Sequence, residues 1–229
     1  MGGAEPARSR SRSLGGLWLC LDLAWRTPDE LIERADAVLE ALPRQVGALW
    51  LRSPRESPAR TLVSLARGLR RVALPRGVAV LVGDRVDVAL AGGCDGVHLG
   101  SHSVSPGEAR ALFDRAGRPG LVSASAHDRA ELEARRDGCD ALLVSPVFAV
   151  PDKGAALGVE GFAALCALAP AQTIVALGGV DTPERVQRVR SAGAQAIAVR
   201  RSVLAPQTTA EVLRACERLA NAMDRPGAA

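Results

Sequence analysis

The stretch 122–128, VSASAHD, ends an alternating run on His127, one of three histidines in the chain. In an extended backbone Ser123, Ser125 and His127 share one side, with Val122, Ala124 and Ala126 on the other. An imidazole titrates near neutral pH and can take up and return a proton, so Ser125 and His127 could serve a proton transfer. The competing reading is a solvated residue at a helix start beside Asp128. His98, inside the apolar GVHLG, reads as a hydrogen-bonded core histidine.

Other stretches suggest anion chemistry. VALGGV places Gly178 and Gly179 after an apolar run and before a capped helix. Glycine lets backbone N–H groups approach a phosphate closely, although a tight turn needs the same residues. Arg200 and Arg201 follow the last apolar run; strict alternation lets only one of them face inward. Asp84 ends another run in LVGDRVDVAL and offers an oxygen ligand for Mg²⁺, or else a helix cap or a partner for Arg85. The following loop contains Ser101, His102 and Ser103 and no carboxylate before Glu108, which weakens the metal reading. Lys153, the one lysine of the chain, sits in a Pro/Gly-flanked loop. It would pair with a phosphate or carboxylate, or stand exposed.

Residues of this kind must be positioned by regular elements. Strand-length apolar runs occur at 17–21, 48–52, 78–83, 96–100, 121–125, 141–147, 173–179 and 196–200. Most are continuously apolar, as for parallel strands covered on both faces. Helix-start signals separate them: TPDE at 27–30, SPAR at 57–60, SPGE at 105–108 and TPER at 182–185. The helices are expected near 28–42, 58–72, 86–92, 106–116, 128–138, 160–168, 183–192 and 209–223. Eight strand–helix units in 229 residues predict a single (β/α)8 barrel over 16–225, with its site at the C-terminal strand ends.

Composition narrows the function classes. The opening 1–15 is Gly/Ser/Arg-rich and predicts a disordered leader. Aromatics are 3% with no tyrosine, so stacking platforms for nucleic acid are not expected. No apolar run is long enough to span a bilayer, and the expected location is the cytoplasm. The five cysteines lack CxxC spacing, which argues against a zinc site or a disulfide framework.

The series DRVDVAL, DGVHLG, SASAHD, LLVSPVF with a following lysine, VALGGV and GAQAIAVRRSVL resembles, in order and spacing, the thiamine phosphate synthase/TenI family over residues 17–205. The resemblance implies a (β/α)8 barrel acting on a phosphorylated thiazole, in a family whose members are often oligomeric, so a homo-oligomer is compatible with it. One branch couples a pyrimidine pyrophosphate to thiazole phosphate with Mg²⁺. The TenI branch includes tautomerases that aromatise a thiazole carboxylate phosphate.

The synthase pattern has Gln-x-Arg-x-Lys on strand two, where this chain has Trp50, Arg52 and Pro54. It has Asn-Asp-Arg after strand three, where Gly83, Asp84 and Arg85 stand. It has an aspartate in the next loop, where Ser103 stands, and threonines near Lys153, where Val150 and Asp152 stand. The lost groups are the ones that would balance a metal-bound pyrophosphate. The resemblance therefore implies a thiazole tautomerase without an obligatory metal. His127 would be its acid/base, with Arg52, Ser125, Lys153, Gly178, Gly179, Arg201 and Ser202 around the substrate. The alternatives are a divergent synthase with Mg²⁺ on Asp84, or a non-catalytic phosphate-ligand binder.

Overall fold

The computed structural model describes residues 13–151 and 153–224. Positions 1–12 of the expected leader, Asp152 and positions 225–229 lie outside the described residues. The strands are β1 (Gly16–Asp22), β2 (Val46–Arg52), β3 (Ala79–Gly83), β4 (Gly96–Leu99), β5 (Leu121–Ala126), β6 (Ala141–Val144), β7 (Thr173–Ala176) and β8 (Ala196–Val199). They pair in parallel, in chain order, and β8 closes on β1. The expected single (β/α)8 barrel is the observed fold.

Two apolar layers explain the continuous hydrophobic runs. Outward residues such as Leu17, Leu19, Leu49, Val80, Val97, Val122 and Ile197 pack under the helices. Inward residues, among them Trp18, Cys20, Ala48, Trp50, Leu81, Leu143, Val175 and Ala198, fill the lumen. Large residues on some strands face alanines on others, so the interior is packed rather than open. The Trp18 indole donates to Leu14 O at 2.7 Å and closes the lower end.

Around the barrel run α1 (Pro28–Ala41), α2 (Ala59–Ala73), α3 (Val86–Gly92), α4 (Pro106–Arg115), α5 (Arg129–Arg135), α6 (Gly158–Cys166), α7 (Pro183–Ser191), α8 (Arg201–Leu204) and α9 (Thr209–Asp224). Capping boxes form at Thr27/Glu30 and Ser105/Glu108, and Thr182 caps α7. The expected Ser57 cap does not form: Pro58 is the N-cap of α2 and offers no side-chain acceptor. The short α8 is an element that the apolar pattern does not announce.

β6 and β7 stop three residues before the apolar runs do. Pro146 has no N–H for the ladder, and Gly178 and Gly179 turn the chain at φ +94 and +68. Residues 145–147 and 177–179 are thereby loops at the barrel mouth. All five cysteines are free, and burial pushes each thiol up to about 12. Among the described residues, no helix is long and apolar enough to cross a membrane.

Candidate functional site

The end of β5 carries the proton chemistry. Asp128 caps α5 by accepting from Glu131 N, and the His127 backbone N–H donates to Glu131 Oε2 at 3.0 Å. This fixes the backbone from which the imidazole projects. Nδ1 of His127 lies 2.6 Å from the carbonyl oxygen of Ser145, beyond the end of β6. A carbonyl only accepts, so Nδ1 carries a hydrogen, and in the neutral ring it is Nε2 that presents the lone pair. His127 is at a helix start and exposed, as the bland reading holds, yet its ring is oriented.

His98 behaves differently. It is 2% exposed inside the lumen, with Nδ1 at 2.9 Å from Ser123 Oγ and Nε2 at 3.0 Å from Ser125 Oγ. Burial pushes its pKa down to about 3, so the ring is neutral near pH 7. This is the hydrogen-bonded core histidine that the sequence suggests. Its bond to Ser125 also fixes a hydroxyl at the mouth, a link that sequence spacing does not reveal.

The ends of β7 and β8 form a backbone surface suited to an anion. The N–H groups of Gly178, Gly179, Arg201 and Ser202 donate to no acceptor among the described residues. A Cβ on Gly178 would come 2.7 Å from Pro146 Cα, and one on Gly179 would come 2.8 Å from Phe148 Cβ. The turn thus needs glycine for its dihedrals and its packing, and it leaves free donors as well. α8 is held from behind by α1. The nearly buried Arg34 donates to Val203 O at 2.6 Å and Pro206 O at 2.9 Å. Arg26 donates to Leu204 O at 2.9 Å.

Arg200, rather than Arg201, enters the mouth. Arg201 is exposed, because β8 turns its even-numbered residues inward. Alternation leaves the inward side chain open between the two; the structure turns Arg200 inward, and the backbone N–H of Arg201 stands at the start of α8. Arg200 Nη2 binds Asp22 Oδ2 at 2.7 Å. Asp22 is 4% exposed and also accepts from Ala24 N at 3.0 Å. Arg52 Nη1 stands 3.9 Å from the same Asp22 oxygen, with its guanidinium 5.3 Å from the Trp50 ring centroid. The sequence context does not mark Asp22, and it marks Trp50 only as the residue standing where the synthase pattern has glutamine. Lys153 is exposed and makes no ion pair with the described residues.

Asp84 sits at φ 60, an uncommon conformation for a residue with a side chain. Its Oδ1 accepts from Gly100 N at 2.9 Å and from the Ser103 hydroxyl. Arg135 holds the same loop by donating to Gly100 O at 3.0 Å and Ser101 O at 3.1 Å. Ser103 thus occupies one oxygen of the carboxylate that a metal would use. Among the described residues no group of three or more His, Cys, Asp or Glu could hold a metal ion. Mg²⁺ is often held by one or two carboxylates plus substrate phosphates. Asp84 Oδ2 therefore fits Mg²⁺ in company with a pyrophosphate, and Asp84 alone does not make a metal cage.

Trp50 and Gly83 are neighbours in space. A Cβ on Gly83 would lie 3.4 Å from Trp50 Nε1 and 3.2 Å from Leu51 O. Trp50 on β2 thus stands against the space that a side chain at position 83 on β3 would enter. Trp50 also lies against His98, with ring centroids 4.3 Å apart.

Comparison with known proteins adds kinship. The family described as thiamine monophosphate synthase matches residues 25–203. A thiamine-phosphate synthase of Azorhizobium caulinodans is 36% identical over 183 residues, covering 78% of this chain and 84% of that protein. One of Moorella thermoacetica is 36% identical over 193 residues, covering 83% and 88%. One of Gloeobacter violaceus is 39% identical over 181 residues; the match covers 78% of this chain and 50% of that longer protein. Among solved structures, a thiamine phosphate pyrophosphorylase from Pyrococcus furiosus superposes with TM-score 0.79 at 26% identity, covering 93% of this chain and 97% of that one.

Proposed function

The chain belongs to the thiamine monophosphate synthase family, and from that premise we propose that it binds thiazole phosphate in the barrel mouth and couples it to a pyrimidine pyrophosphate. The observation that carries the binding reading is the set of free N–H groups on Gly178, Gly179, Arg201 and Ser202. Such N–H groups at adjacent strand ends suit a phosphate ester. Kinship supports the reaction class: the relatives named above are synthases, which favours the transferase over the tautomerase expected from the sequence.

In this reading the β7–β8 backbone holds the thiazole phosphate. Arg52 and Lys153 supply positive charge to the departing pyrophosphate. Asp84 would hold Mg²⁺, which would supply charge neutralisation for that group. Ser125, fixed by His98, offers a hydroxyl to the ligand. Thiazole phosphate is expected to raise the melting temperature of the protein. Gly179→Ala is expected to abolish that shift, because the turn must move to admit a methyl. An equal shift in the variant would remove the backbone cradle from the account.

A second reading is favoured by one observation, the Nδ1–H of His127 committed to Ser145 O. The open Nε2 suits a base that takes a proton from a thiazole tautomer and returns it elsewhere on the ring. That reading uses no metal, and it fits a mouth in which Ser103 occupies one oxygen of Asp84.

A further inference from the structure

We propose that Arg185 is a positioning residue for the Gly178–Gly179 turn: it holds the peptide after Gly179, and with it the last N–H that the turn offers to an anion. The inference rests on reading that turn as a phosphate site, and it names a side chain of the helix ring that fixes the site's geometry. Three successive carbonyls of the turn are engaged. Leu177 O accepts from Val147 N and Gly178 O from Phe148 N, each at 3.0 Å. Gly179 O accepts from Arg185 Nη1 at 2.9 Å. In a trans peptide the C=O and the N–H point in opposite directions, so a held carbonyl fixes the N–H on the other side. The N–H groups opposite these carbonyls are those of Gly178, Gly179 and Val180, and all three donate to no acceptor among the described residues. The backbone of the loop after β6 fixes the first two, and only a side chain fixes the third. Val180 is 4% exposed, and a buried N–H calls for an acceptor.

Arg185 is itself held. Thr182 caps α7 and accepts from Arg185 N at 3.3 Å. Arg185 Nη1 also donates to Asp181 Oδ1 at 2.9 Å. The guanidinium lies 5.0 Å from the Phe148 ring centroid, within cation–π range. Phe148 opens the loop that carries Lys153, and its N–H is the one that holds Gly178 O. One side chain therefore joins the start of α7, the turn after β7 and the loop after β6. The Arg185–Asp181 pair is half exposed, and such pairs add little to stability. Loss of Arg185 should thus disturb the turn rather than the fold. Arg188 lies 5.4 Å from the same ring, yet it makes no bond to the turn among the described residues. It carries the same charge on the same helix, so comparing the two arginines separates positioning from charge alone.

The test is a ³¹P NMR titration of the full chain with inorganic phosphate at low ionic strength. Wild type is expected to bind phosphate, and Gly179→Ala to lose it. Arg185→Met keeps an unbranched side chain and removes its donors; it is expected to weaken phosphate about fivefold, within the range of one net hydrogen bond. Arg185→Lys, which retains a donor, is expected to recover most of that loss. Arg188→Met is expected to bind as wild type does. In the ligand-free protein the Val180 amide resonance is expected to move in Arg185→Met and to stay in place in Arg188→Met. Equal affinity in Arg185→Met and wild type would overturn the proposal. So would equal weakening in Arg188→Met, because the effect would then be one of charge alone. If wild type binds no phosphate, or Gly179→Ala binds it unchanged, the turn is not the phosphate site and this inference falls with it. Unchanged binding in Arg185→Met beside loss in Gly179→Ala removes Arg185 and leaves the backbone cradle standing.

Discussion

The two arcs of the barrel mouth are built from different chemistry. On β8, β1 and β2 the inward residues are Arg200, Asp22 and Arg52, with Trp25 and Trp50 as walls. Charge is fixed there, and it is held by a carboxylate that is almost fully buried. On β4, β5 and β6 the corresponding groups are His98, Ser125, His127 and Ser145. Here the deep imidazole is kept neutral, and the outer one has its tautomer set by a backbone carbonyl. One arc is suited to holding anions and the other to moving protons. Their side chains share no hydrogen bonds among the described residues, and the two arcs meet where the Trp50 ring lies against His98, so disturbing one at that contact is expected to reach the other.

The largest expected effect comes from removing divalent metal. Chelation is expected to abolish coupling of thiazole phosphate to the pyrimidine, which needs the pyrophosphate charge balanced. Proton transfer on the thiazole alone, followed by absorbance, is expected to survive. Equal loss of both would merge the two arcs into one functional unit.

Next in size is His127→Ala. It is expected to lower any thiazole aromatisation by about 10²–10⁴, the usual contribution of a positioned acid/base. Thiazole phosphate affinity by calorimetry should stay within about threefold. Aromatisation at the wild-type rate would leave the proton arc without its base.

His98 gives a pH-dependent stability of known sign. Its pKa is about 3 folded against 6.5 in the ordinary state. The unfolded chain therefore binds more protons between these values. Stability is fully present above pH 6.5 and is lost as pH falls toward 3, by at most about 1.4 kcal/mol per pH unit. Denaturant melts across this window should show a shallower acid slope in His98→Gln than in wild type. Identical slopes would mean that the buried ring does not set the acid limit.

The smallest effect is expected at the start of α1, outside the side chains of both arcs. Thr27→Ala breaks the capping box of α1 and should cost about 1 kcal/mol in a denaturant melt. Phosphate binding should not change. A binding loss would show that α1, through Arg26 and Arg34, tunes α8 rather than only supporting it.

Much of this is legible in the chain because barrel units repeat a simple pattern. The apolar runs and the Thr27 and Ser105 caps mark strands and helix starts to within a few residues. The rim positions of Asp84, His127, Gly178 and Gly179 follow from counting strands. Arg200 was harder. β8 is apolar on both faces, so hydrophobicity cannot say which parity faces the lumen, and the choice between Arg200 and Arg201 stays open. The fit of Trp50 to Gly83 depends on the register of β2 against β3, where Trp50 pairs with Leu81. Neither residue alone carries a signal of that contact. The Ser103–Asp84 bond likewise joins two loops that only the closed barrel brings together.

The most direct test of the account is product analysis by mass after incubating the protein with thiazole phosphate, pyrimidine pyrophosphate and Mg²⁺. The account predicts a coupled pyrimidine–thiazole phosphate, with pyrophosphate released in equal amount. Absence of that product, with the thiazole tautomer aromatised under the same conditions, would contradict it and leave the chemistry to His127.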